Sequence, residues 1–319
     1  MDQVISPILW LVVVVGIDVS HVYATLFRTY FDRKMREERI ALLVFAPLVS
    51  FIFGVFLYSH SAMTFWRVLA YLAVYYFVEK QYGLYRLKKK KNGEASLIGK
   101  LGIYSLTVYP ILYWHLTLPK NFSWFVEGDF FAFNFLANSL RLQLLNISAV
   151  LFLFIQICYL GREIFRLNKG SSISIPKNLL YLGTFLCWYG GIVLSNGDLT
   201  FTITNVICHG LPYIALVWGF EAKKNRSWSF GGKKVVCFLL FLFLLSFVEE
   251  GVWDFFVWDE HKELFLGVTY PLFDKNILKI LVPFLTIPQM THYFLDAFIW
   301  RLSKPQDHVS DVLVSEHAV

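Results

Sequence analysis

The feature that most constrains this chain is a succession of apolar segments, each as long as a helix that crosses a lipid bilayer. A membrane-spanning α-helix needs about 20 apolar residues, because each residue advances the helix by about 1.5 Å. On this criterion we predict spans near residues 4–27, 39–59, 63–85, 97–118, 142–163, 178–195, 199–220, 235–254 and 277–300. The sequence therefore predicts an all-α fold, a polytopic transmembrane helical bundle of about nine spans.

The composition excludes a soluble globular domain. Charged residues make up 16% of the chain and hydrophobic residues 57%, whereas about a quarter of the residues of a soluble protein are charged. We therefore assign residues 1–302 to a single transmembrane bundle and residues 303–319 to a polar cytoplasmic tail. The basic residues behind the net charge of +6 cluster at the ends of the apolar segments. This placement is typical of topology signals and argues against nucleic acid as a partner.

Basic and acidic residues alternate from one loop to the next. The loops after the first, third, fifth, seventh and ninth segments are basic, with examples at Arg33, Lys89, Arg166, Lys224 and Arg301. The intervening loops carry acidic residues, among them Glu127, Asp129, Asp198 and Asp259. Since basic loops stay in the cytoplasm, the N-terminus is predicted outside and the C-terminus inside. We expect an integral protein of a bacterial inner membrane.

Two of the outer connections are unusually aromatic. Residues 119–141 and residues 251–275 are both rich in Trp and Phe. Because aromatic side chains favour the headgroup region, both segments are predicted to form short interfacial helices. Glu249 and Glu250 directly precede the second segment. We interpret this acidic pair as the end of the eighth helix, facing the lipid headgroups.

A few ionisable residues lie inside the predicted spans. Such a group costs about 3 kcal/mol or more in hydrocarbon, so that it needs a partner and usually has a function. Three histidines are of this kind: His21, His209 and His292. Asp18 precedes His21 by three residues and Asp296 follows His292 by four, so each acid shares a helix face with its histidine.

The depth of these residues in the membrane is similar. Counted from the cytoplasmic ends of their spans, His21 and Glu79 lie about seven residues deep, His292 about nine and His209 about twelve. These counts correspond to roughly 10–18 Å at 1.5 Å per residue. All four spans run from outside to inside. A common depth is a condition for one shared site, which we therefore predict near the cytoplasmic side.

Imidazole and carboxylate groups at one depth indicate a metal site. The predicted ligands are His21, His209, His292, Glu79 and Asp296. Catalytic proton transfer is assigned to Glu79, Asp18 and Asp296. These donors suit iron, zinc or manganese, and a mixed set with open positions favours iron that activates oxygen. The alternative is that the histidines bond across helices as structural polar contacts.

Isolated histidines on separate, aromatic-rich helices resemble those of membrane-embedded, histidine-rich iron oxygenases. The segment His209-Gly210-Leu211-Pro212 is similar to the Pro-His-Gly element of the carotene-cleaving membrane oxygenases, without the acid that follows it there. The HxxxH and HxxHH boxes of fatty-acid desaturases and alkane hydroxylases do not occur in this sequence. The resemblance concerns the architecture and assigns no individual residue. It implies iron as the cofactor and a lipophilic substrate.

We therefore expect an integral-membrane metal-dependent enzyme, a non-haem iron oxygenase or oxidase that acts on an acyl chain, a hydrocarbon or an isoprenoid. Its partners would be membrane lipids, this lipophilic substrate and an electron donor. Two alternatives stay open from the sequence. A b-type haem electron carrier could use two histidines on facing spans as axial ligands. A proton-coupled transporter could use the same acids and histidines as a relay.

Overall fold

The structure, a computed structural model, describes residues 6–87, 97–117, 124–170, 174–195, 198–224, 232–265 and 274–299. Within these ranges all regular secondary structure is helical. The predicted tail at 303–319 lies outside the described residues. The basic loop residues Lys89 and Arg301 lie outside them as well.

The helices follow one another with short connections. In chain order they are α1 (Pro7–Arg28), α2 (Arg33–His60), α3 (Ala62–Leu87), α4 (Leu97–Leu116), α5 (Asn138–Asn168), α6 (Ile175–Phe185, continued by Leu186–Leu194), α7 (Asp198–Lys224), α8 (Gly232–Trp258), α9 (Lys275–Leu285) and α10 (Ile287–Ile299). Each predicted segment coincides with a helix, so that the helical prediction is confirmed. The ninth segment is divided at Thr286, because Pro288 has no N–H to continue the α9 ladder.

Five of the described helices are long and apolar enough to cross a membrane. They are Pro7–Arg28, Arg33–His60, Asn138–Asn168, Leu199–Lys224 and Gly232–Trp258. Their exposed faces carry large apolar side chains, as on α2, where Ile52, Phe53 and Phe56 are exposed. Such faces suit a hydrocarbon solvent and not water. The structure is thus consistent with an integral membrane protein.

The first helix changes its winding where it enters the buried region. Residues Leu11–Val19 of α1 are π-helical, and Ser20 begins a regular α-helical stretch. The Ser20 hydroxyl donates to the Val15 carbonyl at 2.8 Å and also contacts the Ser246 hydroxyl of α8 at 3.0 Å. π-helical turns are rare and occur frequently at functional sites. In this helix the π-helical stretch contains Asp18, one of the predicted site residues.

The described chain forms two compact units. The first comprises the described residues of Met1–Phe65 and His209–Val319. In it α8 packs on α1 and the end of α7 through a cluster of Ala24, Tyr213, Val217, Trp218, Phe238 and Leu242. A smaller cluster joins α2 to α10 through Leu43, Ala46, Leu295 and Ile299. At Gly54 of α2 an added Cβ would lie 3.0 Å from the Cβ of Pro283, so glycine permits this close approach to α9.

The second unit comprises the described residues of Trp66–Cys208. Its core is rich in tyrosine, and the rings of Tyr159 and Tyr181 stack in parallel with centroids 3.8 Å apart. Beside them the buried Lys177 ammonium forms an ion pair of 2.5 Å with Glu163. The assignment of residues 1–302 to a single bundle stays a prediction.

The two aromatic outer segments differ from the prediction of interfacial helices. Residues 124–137 form turns and bends, and residues 251–258 continue α8 without a break. For residues 124–137 the prediction of a helix was wrong, whereas residues 251–258 are helical but continue α8 instead of forming a separate helix. In the first segment the buried Asp129 carboxylate accepts the backbone N–H groups of Trp124, Phe125 and Val126 at 2.6–3.2 Å, which organises a loop around it. Burial raises the pKa of Asp129 above its ordinary value, and these N–H groups oppose that rise.

In the first unit, the Asp32 side chain interacts with residues at the ends of three helices. Its carboxylate accepts the Met35 N–H that begins α2 at 3.2 Å, and the Lys224 ammonium of α7 at 2.7 Å. The Arg28 guanidinium at the end of α1 lies 3.7 Å away. Burial by itself would raise the pKa of Asp32, but Lys224, the Met35 N–H and Arg28 outweigh it, so that the pKa is lower than the ordinary 3.8.

Replacing Asp32 by Asn should destabilise the protein by about 2 kcal/mol at neutral pH, because a charge-assisted hydrogen bond is lost. A depressed pKa stabilises the fold above the unfolded value of 3.8 and stops doing so as the pH falls through the folded value. The difference in apparent melting temperature between wild type and Asp32→Asn in detergent should therefore begin to shrink as the pH falls toward 3.8 and disappear only below the folded pKa of Asp32.

The control is Glu37→Gln, which removes an exposed ion pair of 2.7 Å with Arg33. Exposed pairs contribute little, so this variant should change stability by about 0.5 kcal/mol or less. A difference between wild type and Asp32→Asn that stays constant from neutral to acid pH would contradict the interpretation.

Candidate metal centre

The first helix carries an acid and a histidine that face the interior of the first unit. Asp18 is the penultimate residue of the π-helical stretch of α1, and His21 follows three residues later. The Asp18 Oδ1 lies 3.6 Å from the His21 Nδ1, with the histidine side chain 1% exposed and the aspartate side chain 38% exposed. This pair therefore has a buried imidazole and a carboxylate that keeps an accessible edge.

His209 of α7 meets the same carboxylate. Its Nε2 lies 3.5 Å from the Asp18 Oδ1, and its ring is nearly perpendicular to that of His21, with centroids 4.6 Å apart. The neighbouring Gly210 lets α7 come this close to α1. A Cβ at Gly210 would lie 2.9 Å from the Ile17 Cγ2 and 3.8 Å from the His21 Nδ1. The His209-Gly210 pair noted in the sequence thus has a packing role.

The candidate ligand atoms of Asp18, His21 and His209 all lie within 4.8 Å of one another. The Asp18 oxygen is 3.5 and 3.6 Å from the two imidazole nitrogens, beyond the usual 2.7–3.2 Å range of a hydrogen bond. Ligand atoms bound to one metal at about 2.1 Å are roughly 3–3.5 Å apart. The three donors therefore fit a single divalent metal ion with small adjustments.

His292 of α10 completes the group of three histidines. Its ring centroid lies 5.0 Å from that of His21, and its side chain is buried. The Nδ1 of His292 is 2.6 Å from the Thr25 hydroxyl. The lateral contact of the three histidines, which their common depth made possible, is thus present in the structure.

Asp296, predicted as a metal ligand and a base, has a different immediate partner. Its Oδ1 accepts the Tyr213 hydroxyl at 2.6 Å and lies 4.0 Å from the His292 Nδ1. The Tyr213 oxygen is in turn 2.8 Å from the Thr25 hydroxyl. Asp296 is therefore linked to the histidines through hydroxyl groups. Tyr213 was missed by the sequence analysis, although it follows His209 by four residues and so shares its helix face.

Glu79 lies in the second unit. Its side chain is exposed and accepts a hydrogen bond of 2.6 Å from the Tyr104 hydroxyl of α4. Its assignment as a ligand and a base stays a prediction. Asn205, one turn before His209, also belongs to this unit, where its Oδ1 accepts the Cys187 thiol at 3.8 Å.

Glu249 and Glu250 lie closer to the centre than the sequence analysis suggested. The Tyr23 hydroxyl of α1 hydrogen-bonds to Glu249, and Glu250 interacts electrostatically with Asp18. The interpretation of this pair as a helix end was wrong, because α8 continues to Trp258 and the acids lie about two turns inside it. The aromatic segment that follows the two acids is the sequence signal for this position, because it continues α8 instead of forming a separate helix.

Comparison with known proteins gives no independent assignment, since nothing matches among protein-family models, curated proteins or solved structures. The function is therefore argued from the chemistry of the centre. Two imidazoles and one carboxylate that leave other positions open form the donor set typical of non-haem Fe(II) sites.

The close approach at Gly210 gives a direct test of the geometry. Gly210→Ala should destabilise the protein by about 1–3 kcal/mol, because the new methyl group overlaps Ile17 and pushes α7 from α1. The matched control is Gly219→Ala on the same helix, where an added Cβ meets nothing within 4 Å. This control should be neutral or stabilising by up to about 1 kcal/mol, since alanine favours helix. Thermal unfolding in detergent compares the two, and equal effects would contradict the close approach.

Proposed function

We propose that this protein is an integral-membrane, metal-dependent enzyme, a non-haem iron oxygenase or oxidase that acts on a lipophilic substrate. The observation that carries the proposal is the group of Asp18, His21 and His209, whose ligand atoms lie within 4.8 Å of one another. Both histidines are buried in a unit whose helices α1, α7 and α8 are apolar enough to cross a membrane. Ionisable groups in such surroundings usually have a function.

The proposal includes a topology of nine spans with the N-terminus outside and the C-terminus in the cytoplasm. Five helices satisfy the length and hydropathy criteria. The remaining predicted spans correspond to α3, α4, α6 and the pair α9 and α10, and the alternation of basic and acidic loops requires an odd number of spans. In this topology α1, α7 and α10 all run from outside to inside, and the centre lies nearer the cytoplasm.

The donor set and its surroundings favour iron. Two histidines and a carboxylate leave coordination positions open, and iron bound there would supply the activation of oxygen. His292 is a further nitrogen donor beside His21. The side chains of His21 on α1 and His209 on α7 are themselves buried. Zinc or manganese could use the same donors and are distinguished by metal analysis.

The substrate class follows from access to the centre. The histidines are buried, and the Asp18 side chain is 38% exposed, so Asp18 is the accessible edge of the centre. In a membrane this edge faces lipid or the neighbouring helices, and an acyl chain, a hydrocarbon or an isoprenoid could reach it laterally. Oxygen chemistry on such a substrate requires an electron donor, which we place on the cytoplasmic side with the centre.

The haem alternative is disfavoured by the ring contacts. Two axial imidazoles bind haem iron from opposite faces, which holds their centroids roughly 6 Å apart with the macrocycle between them. His21 lies 4.6 Å from His209 and 5.0 Å from His292 in nearly perpendicular contacts. Neither pair leaves room for a macrocycle. A sharp Soret band in the visible spectrum of the purified protein would reverse this conclusion.

Proton-coupled transport is the second candidate function. It is favoured by the acids beside the centre, since Glu250 interacts with Asp18 and Glu249 is hydrogen-bonded to Tyr23. Reconstituted vesicles containing a pH-sensitive dye separate the two functions. Proton movement that persists in metal-depleted protein and is lost in Glu250→Gln would favour transport over the metal-dependent enzyme.

Metal analysis of the purified protein tests the proposal. Wild type should carry close to one iron ion per chain, and His21→Ala, His209→Ala and Asp18→Asn should each bind it at least about 10-fold more weakly, because each removes one donor. The control is His60→Ala, which changes an exposed histidine at the end of α2 and should retain the metal.

The outcomes are distinct. A folded, metal-free wild type would end the proposal, as would equal metal loss in the control. Zinc or manganese at the same stoichiometry, lost in the same three variants, would retain the metal centre and overturn the assignment of iron and of oxygen chemistry.

A further inference from the structure

A chain of hydrogen bonds connects His292 to three side chains that lie one helical turn beyond the histidines. It runs from the His292 Nδ1 to the Thr25 hydroxyl at 2.6 Å, from there to the Tyr213 hydroxyl at 2.8 Å, and on to the Asp296 carboxylate at 2.6 Å. All four side chains are buried. The chain is therefore shielded from water, which could otherwise replace any of its members.

The spacing of these residues is the same on three helices. Each histidine is followed four residues later by a member of the chain: His21 by Thr25 on α1, His209 by Tyr213 on α7 and His292 by Asp296 on α10. An offset of four residues places the second side chain about one turn away on the same face, about 6 Å along the axis. The centre thus has a histidine layer and, next to it, a hydroxyl and carboxylate layer.

The direction of each hydrogen bond follows from the bond to Asp296, which is at one end of the series. The Tyr213 hydroxyl donates to Asp296, so its oxygen can only accept from Thr25. Thr25 has a single hydroxyl proton, and that proton is used toward Tyr213. The Thr25 oxygen must then accept, and the donor is the His292 Nδ1–H. This order leaves Nε2 as the basic nitrogen of the neutral imidazole.

We infer that Thr25, Tyr213 and Asp296 are positioning residues, which hold His292 in the Nδ1–H tautomer and so make its Nε2 available as a metal ligand. The inference rests on the proposed metal-dependent function. It gives Asp296 the role of an outer carboxylate that acts through Tyr213 and Thr25. Such outer partners fix the tautomer and the orientation of a ligating histidine and tune its basicity.

The opposite tautomer is unfavourable for a defined reason. With the proton on Nε2, the lone pairs of the His292 Nδ1 and the Thr25 oxygen would face each other at 2.6 Å. No water reaches this buried pair to relieve the mismatch. Leaving a buried polar atom unsatisfied shifts an equilibrium by on the order of 10-fold or more. The three positioning residues therefore determine the tautomer.

The experiment is ¹⁵N NMR of metal-free, histidine-labelled full-length protein in detergent, with the His292 signals assigned by their loss in His292→Gln. The two tautomers differ in which ring nitrogen carries the proton and hence in both ¹⁵N shifts. Wild type should show Nδ1 protonated. Thr25→Val and Tyr213→Phe should give a mixture or the opposite tautomer, whereas Thr25→Ser, which keeps the hydroxyl, should restore the wild-type signals.

The matched control is Tyr30→Phe, which also removes a phenol that donates to a buried partner, the Leu43 carbonyl at 2.7 Å. It should lower stability and leave the His292 tautomer unchanged, which separates positioning from stability. Added Co²⁺ gives a second readout, and its affinity should fall about 10–100-fold in Thr25→Val and Tyr213→Phe. The wild-type measurement needs only the assigning variant His292→Gln, and it decides the inference even where the other variants fail to fold.

Nε2 protonated in wild type would overturn the inference, and so would an Nδ1–H tautomer that persists unchanged in Tyr213→Phe and Thr25→Val. The failure of the proposed function looks different. Suppose that wild type binds no metal, and that His292 has the Nδ1–H tautomer in wild type but loses it in Thr25→Val and Tyr213→Phe. The role of the positioning residues is then supported and the metal-dependent enzyme is not. If metal binds and His292 has the opposite tautomer, the metal centre is supported and the role of the positioning residues is not.

Discussion

The contact between the Asp18 carboxylate and two imidazoles organises the first unit. A carboxylate and histidines among apolar helices cost several kcal/mol unless each finds a partner. Here one Asp18 oxygen lies 3.6 and 3.5 Å from ring nitrogens of His21 and His209, a spacing that a shared metal ion would fit better than direct hydrogen bonds. That contact requires α1 and α7 to approach closely, which Gly210 permits. It also requires Asp18 near the end of the π-helical stretch of α1, where the helix returns to regular winding.

The polar groups of the centre are arranged in two layers one turn apart, and the apolar packing follows this arrangement. The histidines form one layer, and Thr25, Tyr213 and Asp296 form the other. Ala24, Val217 and Leu242 pack around the same helices, so the hydrogen bonds form in a medium of low polarity. In such a medium a satisfied network is rigid and an incomplete one is costly. The series of hydrogen bonds therefore restricts the orientation of His292, the histidine that it contains.

The surroundings of the centre differ from one side to the other. Asp18 keeps an accessible edge. On α8, Glu249 accepts a hydrogen bond from Tyr23, and Glu250 interacts electrostatically with Asp18. The other side is closed by Thr25 and Tyr213, which hold His292. The exposed part of the centre is thus Asp18, whereas Thr25 and Tyr213 hold the buried His292.

The helices could be predicted from the sequence because apolar length is a local property, so the segment at 39–59 became α2. The common depth of His21, His209 and His292 also followed from counting residues along each helix. Lateral neighbours cannot be counted this way, because they depend on packing between segments distant in the chain. Tertiary structure alone therefore linked Asp296 to His292 through Tyr213 and Thr25, gave Glu79 the partner Tyr104, and extended α8 past Glu250. The sequence determined which residues lie at one depth, and packing decided which of them touch.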